Sequence, residues 1–170
     1  MDGINEAFIA NALRKRHDKG WLYLTHLPVT SGVASGYRHD SPLLAQRIID
    51  AFAIALWPSL GFRRVAYEIK VDRADWLNEL KDPTKRAQAV YLSHEFWFAL
   101  AEGVYQQRDM YDSLAGECGL LLVNEAGEIK KLWAPRKRDA WPVPDGFMAS
   151  IIQTALRNQG QRWLAEEAVK

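Results

Sequence analysis

The chain has 170 residues, of which 48% are hydrophobic and 11% aromatic; this composition indicates one folded domain and excludes a disordered chain. The formal net charge of +1 gives no overall nucleic-acid signature, so a polyanion site has to come from a local patch of charge. A lone cysteine, Cys118, excludes an internal disulfide, and because no apolar run has the length of a membrane span or a signal-peptide core, we expect a soluble, cytoplasmic protein.

The first part of the chain predicts a helix followed by three strands. Apolar residues recur with helical spacing over 3–17, where Asp2 is available as the cap. Residues 21–27 have the composition of a strand, and 28–46 are rich in Pro, Gly and Ser, which predicts a loop. Two further strands follow, one around Asp50 and one over 63–71, joined by the turn composition of 58–61.

The remainder predicts helices, a central strand, a hairpin and a terminal helix. Asp72 and Asp82 each precede a helix, with Asp82 followed by Pro at the first helical position. The expected buried stripes are Trp76, Leu77 and Leu80 on the first helix and Ala87, Val90, Tyr91 and His94 on the second. Residues 96–100 predict a central strand, 101–118 are ambiguous, and 119–124 with 129–133 predict a hairpin. The inward residues expected on a helix over 145–157 are Phe147, Met148, Ile151, Ile152, Ala155 and Leu156. The order implies an α/β fold with a mixed sheet in one domain over 1–170.

An acidic site is predicted between the second and third strands. Strand side chains alternate, so Glu68 and Lys70 stand side by side on one face of the third strand. Asp50 stands in an apolar row on the preceding strand, where a carboxylate is costly unless something compensates it. Hard divalent cations prefer such oxygen ligands, neutralise a phosphate and activate water, so this arrangement points to a phosphodiesterase dependent on Mg²⁺ or Mn²⁺.

Each residue of this site then has an expected role. Asp50 and Glu68 would be metal ligands, and the carbonyl of Ile69 is a third candidate ligand. Lys70 would orient or help to deprotonate the attacking water and offset charge on phosphorus. Glu6, from the first helix, would complete the shell or hold a second ion, although an acid in a first helical turn is also favoured by the helix dipole.

The stretches Tyr67 to Trp76, His94 to Ala99 and Gly119 to Asn124 resemble a known family. The resemblance is to the PD-(D/E)xK nuclease superfamily, and more narrowly to small bacterial and phage members of the MmcB-like DNA-repair type; it runs from about Glu6 to Trp133. It implies a restriction-endonuclease-like core of helix, mixed sheet and helix, to which this chain adds a hairpin and a C-terminal helix.

Carried over to this chain, the resemblance implies Asp50 and Glu68 as metal ligands, Lys70 as the catalytic lysine and Glu6 as the acid of the first helix. The implied cofactor is Mg²⁺ or Mn²⁺, and the implied partner is DNA. The chain departs from the pattern at Ile49, where Pro would precede the Asp, and at Asp72, where Ser or Thr is expected. Neither departure removes a functional group.

Several basic and polar residues are candidates for binding nucleic acid. The helix after the acidic strand and the basic connector carry most of them, and the long early loop carries one. They are Lys81, Lys85, Arg86 and Gln88, then Arg136, Lys137 and Arg138, and finally Arg38. The connector's charges are equally compatible with an ordinary solvated face.

The motif Glu-x-Lys is weak by itself, because it recurs at Glu128 and Lys130, where the preceding strand carries no acid and a solvated turn is expected. For Glu68 and Lys70 the alternative is an ion pair on an exposed sheet surface. The rival functions are a non-catalytic DNA- or protein-binding module and a nuclease acting on RNA. Strand preference, exonuclease or endonuclease action, and a homodimer all stay open.

Overall fold

The computed structural model describes residues 3–29, 47–109 and 116–167, with side chains described as far as residue 159. Within these residues the chain forms an α/β fold, which confirms the predicted class. The helices are α1 (Glu6–Arg14), α2 (Arg73–Lys81), α3 (Ala87–Leu92) and α4 (Asp145–Glu167). The strands are β1 (Trp21–Val29), β2 (Arg47–Ala55), β3 (Arg64–Lys70), β4 (Glu95–Ala101), β5 (Gly119–Val123) and β6 (Ile129–Trp133). No helix in this part of the chain is long and apolar enough to cross a bilayer.

The six strands form one mixed sheet in the order β1-β2-β3-β4-β5-β6. The first three pair antiparallel, β3, β4 and β5 pair parallel, and β6 returns antiparallel along β5. Six of the seven residues of β4 are buried, as expected for an inner strand with a nearly continuous apolar run. The mixed sheet, the central strand and the late hairpin are therefore confirmed.

Helices cover both faces of the sheet. On one face the chain just after α1 contacts β3, because Nε2 of His17 lies 2.6 Å from the hydroxyl of Tyr67. On the other face Trp76 of α2 packs edge-on against Phe98, with ring centroids 5.0 Å apart. Phe98 pairs with Glu68 in the parallel ladder, so Glu68 lies on the α2 side of the sheet.

The helix ends follow local capping. The side chain of Asn5 accepts a hydrogen bond from the backbone N–H of Phe8 at 2.9 Å, so α1 begins at Glu6 and ends at Arg14. The predicted span of 3–17 capped by Asp2 is therefore too long, since Asn5 satisfies the first free amides. Asp72 caps α2 as predicted, accepting from the amide of Ala74 at 2.7 Å.

The buried faces of α2 and α3 differ from the predicted stripes. On α2, Trp76 is buried as expected. Leu77, which was expected to be buried, is exposed, and Glu79 is buried instead. On α3 the buried side chains are Gln88, Ala89 and Leu92, whereas Tyr91 is 41% exposed. The reason is that α3 has only six residues and begins after a 3₁₀ turn (Pro83–Arg86), which rotates the following residues relative to the predicted stripe. His94 lies beyond the helix, where its Nδ1 accepts from the backbone of Arg64 at 2.9 Å.

Helix α4 is also rotated from the prediction. Phe147 and Ile151 are buried as expected, and Phe147 packs against Phe52 of β2. Ser150 and Thr154 take other inner positions; Oγ of Ser150 donates to the carbonyl of Gly146, so its burial leaves no unpaired hydroxyl. Three side chains predicted as inward are exposed instead, namely Met148, Ile152 and Leu156.

Candidate active site

Asp50 lies where the strands of the sheet begin to separate. The β2–β3 ladder runs only as far as the pair Ala51–Tyr67, and beyond it Oδ2 of Asp50 accepts from the backbone N–H of Ile69 at 2.7 Å. In the β1–β2 ladder the pair that would follow Thr25–Ala51 joins His26 to Asp50, and it is missing. His26 has a positive φ of 51°, a conformation that disrupts the ladder. The carboxylate of Asp50 thus replaces a backbone acceptor where β3 leaves β2, whereas β1 and β2 pair again from Leu27–Ile49 onward.

Glu68 and Lys70 form a close pair beside Asp50. Nζ of Lys70 donates to Oε1 of Glu68 at 2.5 Å, and the two side chains are 16% and 20% exposed, respectively. The predicted alternation is confirmed, because Tyr67 and Ile69 are buried on the opposite face of β3. The charged groups are accessible from solvent only over a small area, as expected for a cleft rather than an open sheet surface.

The electrostatics of the site show an excess of acid. Burial raises the pKa of Asp50 to about 7, and the negative charge of Glu68 adds to the effect. Burial alone would lower the pKa of Lys70, but the charge and hydrogen bond of Glu68, together with Asp50, raise it overall. Lys70 is therefore an ammonium at neutral pH, which suits a hydrogen-bond donor and a positive charge better than a proton acceptor.

Glu79 of α2 is a further acid near this cluster that the sequence analysis missed. The residue is 4% exposed, and burial followed by the charge of Glu68 raises the pKa of its carboxyl group. Nη1 of Arg86 lies 3.6 Å from Oε1 of Glu79, too far for a hydrogen bond, and that oxygen has no partner among the described residues. Its spacing from Trp76 was an available signal, because residues three apart share a helix face. We refer to Asp50, Glu68, Lys70 and Glu79 as the acidic site.

Glu6 stands at the periphery of the acidic site. Its Oε1 lies 3.2 Å from Nε2 of His26, and both side chains are largely exposed. Its charge nevertheless contributes to the raised pKa of Asp50. No sequence pattern indicates His26, because a positive φ at a histidine cannot be recognised from residue spacing.

The residues present fit a hard divalent cation held by two carboxylates. Because its pKa is raised, Asp50 takes up a proton readily. A cation between Asp50 and Glu68 would relieve the repulsion that contributes to this raised pKa. Among the described residues no three His, Cys, Asp or Glu side chains converge on one point. Mg²⁺ is commonly held by one or two carboxylates with water and substrate phosphate completing the shell, so two carboxylates suffice for such an ion.

Of the four nucleic-acid-binding residues predicted after β3, two are exposed and two are buried. Lys81 and Lys85 are exposed, and the charge of Lys85 acts on Glu79, which places it beside the acidic site. Arg86 and Gln88 are 5% and 4% exposed, so they are unavailable to a nucleic acid, and the prediction is corrected for both. The guanidinium of Arg86 instead donates to the carbonyl of Glu79 and lies over the ring of Phe98.

The basic connector lies at the other end of the sheet. The backbone amide of Arg138 donates to the carbonyl of His94, which immediately precedes β4, at 3.2 Å. Because β3 and β4 are parallel, this is the amino end of β3, whereas Lys70 is at its carboxyl end. Arg136 and Lys137 are exposed there, but they are not near the acidic site. Arg38 lies outside the described residues.

The second copy of Glu-x-Lys is a solvated turn, as predicted. The carboxylate of Glu128 accepts from the side-chain amide of Asn124 at 2.8 Å, and both Glu128 and Lys130 are exposed.

Comparison with known proteins finds no matching family model, no matching curated protein and no matching solved structure. The function therefore has to be argued from the acidic site itself.

Proposed function

We propose that this protein is a deoxyribonuclease that depends on Mg²⁺ or Mn²⁺, with a restriction-endonuclease-like core of the PD-(D/E)xK type. The observation that carries the proposal is the position of Asp50 next to the Glu68–Lys70 pair where β2 and β3 separate. The layers support it, because the chain following α1 packs on one face of a mixed sheet and α2 on the other. That is the helix, sheet and helix order that the resemblance implies.

The side chains have distinct roles in this proposal. Asp50 is oriented by the amide of Ile69, so its free oxygen is available to a cation shared with Glu68. A divalent cation held there supplies positive charge for the scissile phosphate and lowers the pKa of water. Lys70, kept protonated by Glu68, donates a hydrogen bond and offsets negative charge as it develops on phosphorus. Lys85, exposed beside Glu79, is placed to contact the phosphate backbone.

A non-catalytic binding module is the second candidate. Its supporting observation is the 2.5 Å contact between Lys70 and Glu68, which already neutralises one of the two carboxylates. The raised pKa of Asp50 favours the nuclease, because a fold freed from catalysis gains nothing from a destabilised carboxylate. A nuclease acting on RNA has the same site chemistry and is separated from the first proposal only by substrate.

Cleavage assays distinguish these candidates. Labelled single- and double-stranded DNA and matched RNA are incubated with the full chain in Mg²⁺, Mn²⁺ or EDTA. We expect DNA cleavage that EDTA abolishes and that Glu68→Gln or Lys70→Ala reduces by about 10²–10⁴-fold. Cleavage of RNA alone would support the third candidate, and metal-independent binding without cleavage would support the second.

The chain provides its own matched control. Glu128→Gln and Lys130→Ala make the same changes in the solvated copy of Glu-x-Lys, and they should leave cleavage unchanged. Activity that survives Lys70→Ala, or that falls equally in both motifs, would overturn the assignment. The setting that fits the proposal is DNA repair, recombination or defence in a bacterial or phage cytoplasm. Sedimentation with and without duplex DNA would show whether a homodimer brings two sites to opposite strands.

A further inference from the structure

Exposed cations and exposed aromatic rings lie together at the amino end of β3. The chain leaving α1 carries four exposed cations, and the turn between β2 and β3 carries Trp57 and Phe62, which are 60% and 56% exposed. We call this set the amino-end surface; its members are Arg14, Lys15, Arg16, Lys19, Trp57 and Phe62. At about 3.3 Å per residue, β3 separates the turn that carries the two rings from Lys70 by about 20 Å. Arg16 reaches over Trp97, which pairs with Tyr67 and so lies on the face of the sheet opposite Glu68 and Lys70. It is therefore distinct from the acidic site.

The two segments that make up this surface are in contact. The amide of Leu56 donates to the carbonyl of Gly20 at 2.8 Å. The ring of Trp57 lies against Gly20 so closely that a Cβ added there would be 2.6 Å from Cδ1 of Trp57. Gly20 also has a φ of 83°, which a side chain rarely adopts. The glycine thus allows the aromatic turn to pack beside the basic segment.

Within the described part of the chain, the cations of the amino-end surface have no ion-pair partners. None of its four cations forms an ion pair with another described residue, and Arg14 and Arg16 instead lie over the rings of Tyr23 and Trp97 at 5.4 Å. Asp18 is the acid within this segment, so a net positive charge remains. Phosphates are the polyanion that such a row of cations binds, with counterion release as the driving force.

A cavity of about 240 Å³ opens beside the basic segment, between α1 and α4. His17 and Asn158 are among its lining residues, and each has a buried nitrogen with no partner among the described residues, Nδ1 and Nδ2, respectively. His17 is only 9% exposed, so the buried nitrogen without a partner destabilises the fold. Trp21 adds a flat aromatic wall. Unpaired polar groups beside an aromatic ring suit a planar ligand that has its own hydrogen-bonding edge.

We propose that the amino-end surface binds single-stranded nucleic acid, with bases stacked on Trp57 and Phe62, phosphates on the four cations and one base in the cavity. Stacking on protein rings requires bases that are not already stacked in a duplex, so the surface selects single strands. It acts as a capture site outside the chemistry. The proposal is independent of the nuclease assignment, because binding needs no divalent cation.

Fluorescence anisotropy tests it in EDTA, with the full chain and a labelled oligothymidylate or a hairpin duplex. We expect tighter binding of the single strand. Replacing both rings (Trp57→Leu with Phe62→Leu) keeps apolar bulk but removes the stacking faces and should weaken binding at least about tenfold. Asn158→Ala removes an amide whose Nδ2 has no partner among the described residues, and it should weaken binding by about threefold without lowering the thermal midpoint.

The cations have a separate signature. Arg16→Ala with Lys19→Ala should reduce the slope of log K against log salt by about 1.4, or 0.7 for each phosphate contact on a single strand. The matched control is Lys130→Ala with Lys131→Ala, which removes two exposed cations from β6 and should leave the affinity unchanged. Because binding is measured in EDTA, where the proposed nuclease is inactive, a failure of this proposal is distinguished from a failure of the nuclease assignment.

Three results would overturn the proposal. The first is that the Arg16 and Lys19 variant and the Lys130 and Lys131 variant weaken binding equally. The second is that duplex and single strand bind with equal affinity and the ring variants have no effect. The third is that the protein binds vesicles of phosphatidylcholine and phosphatidylglycerol and does not bind oligonucleotides. The last result would assign the same surface to a membrane. Thermal melts of every variant ensure that a loss of binding is read only from folded protein.

Discussion

The two ends of the sheet handle charge in opposite ways. At the carboxyl end of β3 a few charged groups are nearly buried, and each one shifts the pKa of its neighbours, as Glu68 does for Asp50 and Lys70. At the amino end the cations of the amino-end surface are exposed, and the described residues offer them no ion pair. Burial makes individual charges strong enough for chemistry, whereas exposed charges act additively and at longer range, where salt screens them.

The largest effect is expected at the carboxyl end of β3, where an ion pair between Arg73 and Asp109 holds the start of α2. The guanidinium of Arg73 donates to both carboxylate oxygens of Asp109, whose side chain is 3% exposed and which also accepts from Nε1 of Trp76. Asp109→Ala leaves these donors unpaired, and we expect a loss of about 3 kcal/mol in urea unfolding. Asp75→Ala, an exposed change on the same helix, should cost about 0.5 kcal/mol or less. A similar cost for both would mean that burial does not distinguish the two acids.

A second test concerns Asp50, whose raised pKa makes its charge unfavourable to folding. The folded protein binds a proton on Asp50 up to about pH 7, whereas the unfolded chain releases it near its ordinary pKa of 3.8. Stability therefore falls as pH rises from about 4 to 7, and the full cost is present above pH 7. In EDTA, Asp50→Asn should raise the free energy of unfolding by about 2 kcal/mol at pH 8 and by much less at pH 4.

Adding metal should make the wild type more stable than Asp50→Asn, which reverses the order of stability expected in EDTA. Mg²⁺ or Mn²⁺ at pH 8 should raise the melting temperature of the wild type and not that of Asp50→Asn, because the neutral amide no longer contributes a charged ligand. Glu79→Gln tests whether the third acid participates, and an unchanged metal response would restrict the site to Asp50 and Glu68. If metal raises the melting temperature of Asp50→Asn as much as that of the wild type, the metal binds somewhere other than the acidic site.

His17 is the exception at the amino end, because it is a buried titratable group among exposed cations. Burial, with Arg16 and Arg63, lowers its pKa to about 4. Between about pH 6.5 and 4 the unfolded chain binds a proton there and the folded protein does not, so stability falls as pH falls through this range. His17→Gln keeps a partner for Tyr67 and should flatten that part of the profile, an effect of about 2 kcal/mol at pH 5. Unfolding curves at pH 5 and pH 8 would measure it, and an unaltered profile would place the titrating group elsewhere.

The sequence predicted what depends on periodicity and missed what depends on three-dimensional register. Alternation placed Glu68 and Lys70 together, and capping chemistry placed the start of α2 at Asp72, because both are local properties. Helical spacing predicts Arg86 as a surface cation, but Arg86 is the last residue of the 3₁₀ turn (Pro83–Arg86), in which three residues per turn change the direction of the side chain. The amino-end surface was missed because its basic and aromatic parts are far apart in sequence and meet only through the packing of Trp57 on Gly20.

Phe62 gives the smallest and most specific test of the contrast between the two ends. It has a positive φ of 46°, directly after Gly61 at 67°, and its ring is 56% exposed. The left-handed conformation costs a bulky residue about 1–2 kcal/mol, whereas glycine adopts it freely but loses about 0.5–1 kcal/mol more chain entropy on folding. Phe62→Gly should therefore stabilise the protein by about 0.5 kcal/mol in urea unfolding while weakening binding of the oligothymidylate. If the glycine variant is less stable than the wild type, the exposed ring contributes to the fold, and its exposure no longer argues for a ligand.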